Sequence, residues 1–225
     1  MSRIPKNLVI TIDGPVGAGK STTAQLLAKR LGYCHIETGA MYRAVAWKAI
    51  EQEVDLADPD ALMHLIRQTR LELKPGDEGL RVVVDGEDVS DVLRSPQIGA
   101  AASVLSIHPP VREELVRRQR ELGARGGVVM DGRDIGTVVF PDAPVKFYLI
   151  ATLEERGRRR FLQSPPDEGG EENTLKQIQN RDRRDTERDA SPLKPAPDAI
   201  LIDTTSLSPE EVVSEMERHI GGKFR

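Results

Sequence analysis

Cysteine is almost absent from this chain. One residue, Cys34, stands in 225, so no intrachain disulfide can form, which fits a reducing cytoplasm. Histidine is sparse and scattered, at positions 35, 64, 108 and 219, and no Cys/His spacing suited to a metal occurs. No apolar run approaches the ~18 residues that cross a bilayer. The opening stretch MSRIPKNLVITIDG has no signal-peptide core with a cleavage site; its short apolar run leads straight into a glycine loop. A surplus of positive charge is missing too. The net charge is −4 and the pI lies near 5.7, which argues against a general nucleic-acid binder. No internal repeat and no long linker divides the chain into independent domains.

What remains is a mixture that folds. Hydrophobic residues at 38% and charged residues at 30% support a core and exclude wholesale disorder. The length suits one domain, or one domain with an insertion. Leu8 to Ile12 is short and β-branched and reads as a buried strand ended by Asp13-Gly14. Residues 20–31 read as a helix with Leu26, Leu27 and Leu31 on one face and Gly32 as its C-cap. A second strand fits 33–36 and a helix 40–52. Residues 70–92 alternate like strands, with Pro75-Gly76 and Asp85-Gly86 as turn signals, and read as a small antiparallel insertion. Helices fit 96–106 and 110–122, strands 127–130 and 145–150. Helices at 153–162 and 174–189 flank a polar Pro/Gly-rich loop, QSPPDEGGEEN. A strand at 199–202 and a helix opened by Ser208-Pro209-Glu210-Glu211, a capping-box pattern, complete the chain. Alternating strands and helices predict an α/β fold with a parallel sheet and helices on both faces.

The strongest motif is Gly14-Pro15-Val16-Gly17-Ala18-Gly19-Lys20-Ser21, a complete G-x-x-x-x-G-K-[ST] between a β-branched strand and a long helix. Its glycines let backbone N–H groups turn inward around phosphate oxygens. The following helix aims its positive dipole end at the same anions. Lys20 is placed for the β/γ-phosphates, the Ser21 hydroxyl for Mg²⁺, and Thr22 completes the ATP-binding run from Gly14. The spacing of a dinucleotide fingerprint is not met. No Asn-Lys-x-Asp guanine-reading motif occurs, which weighs against a GTPase, and the short, repeat-free chain weighs against a large ATPase. Small kinases remain, and these must hold a second substrate opposite the triphosphate.

Three arginine-bearing segments suit that second substrate. One is Glu37 to Arg43, directly after the second strand. Another is Met130-Asp131-Gly132-Arg133-Asp134-Ile135-Gly136, after the third. In open parallel sheets ligands bind at such carboxyl ends. A solvated helix residue is the plain alternative for Arg43, and a charged turn closed by local ion pairs for Asp131 to Asp134. The last segment places Arg181, Asp185 and Arg188 on one helical face, where surface salt bridging is the plain alternative. Arg156 and Arg160 share a face of the preceding arginine-rich helix. Two such helices around a polar loop read as a lid, about 156–188, that closes over ATP phosphates and excludes water.

The segments ITIDGPVGAGKST, ETGAMYRAV, VREELVRRQR, MDGRDIGTVVFPDAPVKFYLIAT, EERGRRR and NRDRRDTERDASPLKPAPDAILIDTTSLS together resemble bacterial cytidylate kinases. The resemblance covers nearly the whole chain, and DGRDIGTVVFPDA is far more specific than the phosphate loop. It implies a P-loop nucleoside monophosphate kinase fold with five parallel strands, in a single domain over 1–225. That domain would include a monophosphate-binding region at about 38–107, with the β-rich insertion at 70–92, and the short lid. It also implies a cytoplasmic monomer that uses ATP and Mg²⁺ to convert CMP to CDP and dCMP to dCDP, with no nucleic-acid or membrane partner. Thr38, Arg43, Arg133 and Arg181 would contact the acceptor phosphate. Ser103, Arg112 and Asp134 would read the cytosine edge, and Asp185 and Arg188 would hold the ribose. Lys20, Arg133, Arg156 and Arg160 would act on the transferring phosphoryl group. The pattern departs at Glu37, where aspartate is expected, at Thr38 in place of serine, and at Asp182-Arg183 in place of paired aspartates.

The lack of a well-placed histidine base fits this chemistry. The nucleophile is a phosphate oxygen whose second pKa is ~6, so it is mostly ionised at neutral pH. Catalysis reduces to positioning and charge stabilisation. Two rival readings stay open at this point: a kinase of UMP, AMP, shikimate or gluconate, distinguished by the Ser103, Arg112 and Asp134 set, and a nucleotide-dependent switch, which rapid acceptor-dependent ADP release would exclude.

Overall fold

The computed structural model describes residues 4–76, 79–163 and 170–224. The elements in chain order are β1 (Val9–Asp13), α1 (Lys20–Leu31), β2 (Cys34–Glu37), α2 (Gly39–Glu51), α3 (Pro59–Gln68), β3 (Leu71–Gly76), β4 (Gly79–Val84), β5 (Glu87–Asp88), α4 (Pro96–Leu105), α5 (Pro109–Gly123), β6 (Val128–Asp131), β7 (Val145–Ile150), α6 (Leu153–Gln163), α7 (Gly170–Glu187), β8 (Ile200–Asp203) and α8 (Pro209–Lys223). A 3₁₀ turn at Val92–Arg94 precedes α4, and a π-helical turn at Ile135–Val139 follows β6. The chain divides into two compact units, residues 36–122 and the remainder.

The unit made of 1–35 and 123–225 carries a five-stranded sheet in the order β2-β6-β1-β7-β8. β1 runs parallel to β6, with Ile10 opposite Val129, and to β7, with Ile12 opposite Phe147; β7 runs parallel to β8. Central parallel strands are covered on both faces, so they read as continuous apolar runs, and Ile10, Ile12, Val129, Phe147 and Leu149 are fully buried. Ala24, Leu27 and Ala28 of α1 and Val213, Met216 and Ile220 of α8 close this core. Leu26 and Leu31 are only partly buried at its edge, because small residues hold the centre of the α1 face. Gly32 ends α1 in the left-handed region at φ 69°, and Ser208 with Glu211 forms the expected capping box of α8.

Residues 36–122 build their own core around Met41, Ala44, Val45, Leu62, Ile66, Val84, Leu105 and Leu115. The antiparallel sheet β3-β4-β5 confirms the β-rich insertion. Pro75 and Gly76, expected to turn, instead pair with Leu80 and Gly79 inside the β3–β4 ladder. Residues 77–78, between the two strands, lie outside the described residues. The Asp85-Gly86 signal does connect β4 to β5, with Asp85 at φ 51° and Gly86 at φ 93°. Helix α3 is absent from the sequence-based reading. Its signals are present nonetheless: Asp58 accepts the Asp60 and Ala61 N–H groups at 2.9 and 3.0 Å, Pro59 stands at N1, and Leu62, Leu65 and Ile66 share the buried face. Helix α7 starts at Gly170, four residues before the expected 174, so only 164–169 of the polar loop separate it from α6, and these lie outside the described residues.

Candidate active site

The phosphate loop needs its glycines for space as well as for conformation. Gly14 sits at φ 144°, and a Cβ there would lie 2.2 Å from the Leu149 carbonyl oxygen. Gly17, at φ 78°, would drive a Cβ to 2.9 Å from the Cβ and carbonyl oxygen of Arg156. The loop is thus pressed between β7 and α6, and any side chain at either position would force it open. Thr204, after β8, braces it from another side by donating to the Ala18 carbonyl at 3.1 Å.

Lys20 begins α1 and is buried. Its Nζ donates to the Pro15 carbonyl at 2.6 Å, so the side chain curls over the loop that it follows. Burial holds its pKa well below the ordinary lysine value, and the nearby positive charges of Arg133 and Arg181 push the same way. A buried cation facing two further cations is costly in the free protein and becomes favourable once a polyanion arrives.

Ser21 donates to Asp131 Oδ2 at 2.8 Å, and Asp131 Oδ1 lies 2.7 Å from Nε2 of His35 on β2. Burial raises the Asp131 carboxyl, but the hydrogen bond and charge of His35, the charge of Lys20 and the Ser21 hydroxyl outweigh it and hold the pKa below the ordinary value. Asp13, at the end of β1, accepts the N–H groups of Ile135 at 2.8 Å and Gly136 at 2.7 Å. These are the first two amides of the π-helical turn, so Asp13 fixes the backbone directly after Asp134. Burial pushes the Asp13 carboxyl up to about 7 against the pull of those two amides.

Helix α7 brings a second charged cluster. Arg133 Nε donates to Asp185 Oδ2 at 2.9 Å, and Arg188 Nη1 lies 3.8 Å from Asp185 Oδ1. Burial opposes ionisation of Asp185, yet Arg133, Arg181 and Arg188 together keep its pKa below the ordinary value. Arg133, Asp185 and Arg188 therefore meet, with the Arg181 charge acting on the same group. In the 36–122 unit, Arg43 donates to Glu37 at 2.6 Å, so the glutamate that departs from the expected aspartate is an ion-pair partner. Buried Arg112 lies with its guanidinium 5.5 Å from the Tyr42 ring centroid and donates to the Ser106 carbonyl at 3.2 Å. Ser106 in turn donates to the Ser103 carbonyl at 3.0 Å, while the buried Ser103 Oγ has no hydrogen-bond partner among the described residues.

A family model described as Cytidylate kinase matches residues 10–221. The chain belongs to the cytidylate kinase family. It is 47% identical over 221 residues to the cytidylate kinase of Bacillus cereus (strain ATCC 10987 / NRS 248), covering 97% of this chain and 98% of that protein. With the cytidylate kinase of Geobacillus sp. (strain WCH70) the identity is 52% over 215 residues, 93% and 95% of the two chains. A crystal structure of an uncharacterized protein from Eubacterium ventriosum ATCC 27560 aligns with a TM-score of 0.50 at 12% identity, covering 95% of this chain and 98% of that one, a likeness of fold alone. This cytidylate kinase chain thus has the α/β P-loop kinase fold and is an ATP-dependent phosphotransferase.

Among the residues singled out for the cytidylate kinase site, Thr22 is exposed on the first turn of α1, and Thr38 is buried at the N-cap of α2. Arg156 is buried, donating Nη1 to the Val16 carbonyl at 3.2 Å and Nε to the Ala151 carbonyl at 3.1 Å. Arg160 lies one turn further along α6 and is half-buried. The sequence reading gives no individual site role to several residues that the structure brings to the loop. Asp182 Oδ1 accepts the Val16 N–H at 3.3 Å, and its Oδ2 accepts Arg156 Nη1. Arg159 donates Nη1 to Thr204 Oγ1 at 3.0 Å and stands beside Gly19. Asp13, Asp131 and His35 complete the set. Asp13 and Asp131 each end a strand of the parallel sheet, and His35 lies within β2.

Among the described residues no group of three or more His, Cys, Asp or Glu side chains is placed to hold a metal by itself. The donors beside the loop, the Ser21 hydroxyl and the Asp131 carboxylate, are hard oxygens at the end of the phosphate site. They fit Mg²⁺, which takes one or two protein oxygens together with substrate phosphates and waters.

Proposed function

We propose that the loop around Lys20 is where this chain carries out the reaction of its family, transfer of the γ-phosphoryl group of ATP to CMP or dCMP, giving CDP or dCDP and ADP in pyrimidine nucleotide metabolism. The observation that carries the assignment to this site is the buried Lys20, depressed in pKa by burial, Arg133 and Arg181 at the N-terminus of α1. A polyanion bound at the loop relieves that arrangement. The loop amides, Lys20 and the helix dipole hold the ATP phosphates. Arg156 and Arg160 are assigned to the transferring group, with Arg133. Thr38, Arg43, Arg133 and Arg181 are assigned to the acceptor phosphate, Ser103, Arg112 and Asp134 to the base, and Asp185 and Arg188 to the ribose.

The acceptor oxygen is already ionised at neutral pH, since its second pKa is ~6, so no general base is required. What the protein supplies is alignment of two polyanions that otherwise repel, and fixed positive charge where the equatorial oxygens gain it in the transition state. Ser21 and Asp131 would hold Mg²⁺, which would supply positive charge against the phosphates. The helices α6 and α7 form the lid over 156–188 in this reading, the single domain includes the 38–107 monophosphate-binding region, and the chain works as a cytoplasmic monomer. Among the described residues no helix is long and apolar enough to cross a membrane.

The test is ADP production from ATP and Mg²⁺ with CMP, dCMP, UMP, dTMP and AMP offered separately. Rapid ADP release with CMP and dCMP alone supports the reading. Equal activity with UMP moves the chain to a broader pyrimidine kinase, and ADP release without any acceptor removes it from the kinases.

A further inference from the structure

Among the four histidines, His35 stands apart. It lies within β2 with its side chain 15% exposed, and Nε2 meets one oxygen of an almost fully buried carboxylate, Asp131, whose other oxygen takes the Ser21 hydroxyl. We propose that His35 is a positioning residue for the metal end of the phosphate site, acting through Asp131 on the Ser21 hydroxyl. The proposal rests on the reading of Ser21 as the metal-binding hydroxyl.

The argument is one of hydrogen-bond direction. An ionised carboxylate only accepts, so His35 presents Nε2–H and Ser21 presents its hydroxyl hydrogen. A serine hydroxyl has one hydrogen and two lone pairs. With the hydrogen committed to Asp131, both lone pairs face away from the carboxylate, free for a cation at the phosphates. That orientation holds only while the Asp131 carboxylate itself cannot turn. Rotation about its Cβ–Cγ bond would swing it toward the positive charge of Lys20, which acts on it already. The bond from His35 holds the second oxygen against that rotation. Placement explains why β2 supplies the pin. β2 neighbours β6 in the sheet, so His35 within β2 and Asp131 at the end of β6 meet across 96 positions of sequence.

A structural ion pair would give the same coordinates, so the experiment must separate the two. ATP binding to the full chain, without acceptor, is measured by calorimetry in EDTA and again with Mg²⁺. The quantity read is the factor by which Mg²⁺ tightens ATP. His35→Leu removes the donor; His35→Gln keeps an N–H at similar reach. Loss of an outer-shell partner of a metal site typically costs about 10–100-fold in metal affinity, so H35L is expected to lose about tenfold or more of the Mg²⁺ factor while its affinity in EDTA stays unchanged. H35Q is expected to retain the factor. His35→Asn, polar but too short to reach Asp131, is read in the same way where H35L does not fold.

An unchanged Mg²⁺ factor in H35L or H35N overturns the proposal. So does equal weakening with and without Mg²⁺, which marks a structural role, and so does an H35Q variant as impaired as H35L. If the unmodified protein binds ATP equally well with and without Mg²⁺, the assignment of Ser21 fails and the inference falls with it. If it shows the Mg²⁺ factor and H35L keeps it, the His35 inference alone fails.

Discussion

Asp182 of α7 accepts the backbone N–H of Val16 at 3.3 Å while its second oxygen accepts Arg156 Nη1. A carboxylate therefore occupies an amide of the phosphate loop and neutralises the arginine beside it. In the proposed assignment both are groups that an ATP phosphate would use, so ATP would compete with Asp182 for them. Asp182→Asn keeps the shape and removes the charge. The group is partly exposed, which limits the gain to about 1 kcal/mol, or about fivefold. D182N is expected to bind ATP about fivefold more tightly without acceptor, as read by calorimetry. Weaker binding would mean that Asp182 serves the bound state instead.

Much of this site was invisible in the sequence for a geometric reason. The glycine loop was legible because its parts are consecutive, and α1, β7 and the capping box of α8 because their signals are periodic or local. Asp182 touches Val16 across 166 positions, and Asp13 touches Gly136 across 123. No local pattern encodes such pairs; the order of strands in the sheet creates them. The π-helical turn at Ile135–Val139 is a different case. Ile-Gly-Thr-Val-Val has the composition of a strand, and its departure depends on Asp13 capping it from β1. Helix α3 was legible and overlooked, since Asp58, Pro59 and the Leu62, Leu65, Ile66 spacing all stand in the sequence.

Lys20→Ala separates function from stability. In the proposed function the lysine acts on the transferring phosphoryl group, so its loss is expected to lower kcat by about 10³-fold or more. Its burial and its two cationic neighbours depress its pKa, which means that the charged form is strained in the free protein. Thermal melting of K20A without nucleotide is expected at or above that of the unmodified protein. A marked fall in melting temperature would show that the Pro15 hydrogen bond outweighs the relief of charge.

Asp13 gives a pH prediction. Its pKa is raised from 3.8 to about 7 in the folded protein. Between those values the native state holds a proton that the unfolded chain has released. Its contribution to stability is therefore full below about pH 4, falls as pH rises toward 7 and is level above that. Asp13→Asn leaves one of two buried N–H donors facing an amide hydrogen, a cost of about 1–3 kcal/mol. Urea unfolding from pH 5 to 8 is expected to show D13N less stable at pH 5, with the gap shrinking as pH rises to 7. A gap that widens over that range would reverse the assigned direction of the shift.

Base choice is the sharpest test of the acceptor assignment. Cytosine offers an amino group at C4 and an acceptor at N3; uracil offers a carbonyl and a donor. In the proposed assignment the Asp134 carboxylate would accept from the amino group, and Arg112 would donate to N3 and O2. Uracil would mismatch both contacts, each unpaired buried group costing roughly 1–3 kcal/mol, so CMP and dCMP are expected to exceed UMP in kcat/KM by about 10²-fold. Asp134→Ala should narrow that gap mainly by lowering activity on CMP. Ser103 refines the prediction, because its buried Oγ has no partner among the described residues. A hydroxyl left unsatisfied in the free protein is a small cost that a ligand can repay, so Ser103→Ala should leave the free protein as stable or more so by about 1 kcal/mol. The same change should lower kcat/KM for CMP by about tenfold, the worth of one hydrogen bond to the base, and lower that for UMP less. Parallel melting curves and kinetics on both nucleotides read the two effects at once. An S103A variant that is destabilised yet unchanged in CMP preference would place Ser103 in the fold of α4 rather than at the base.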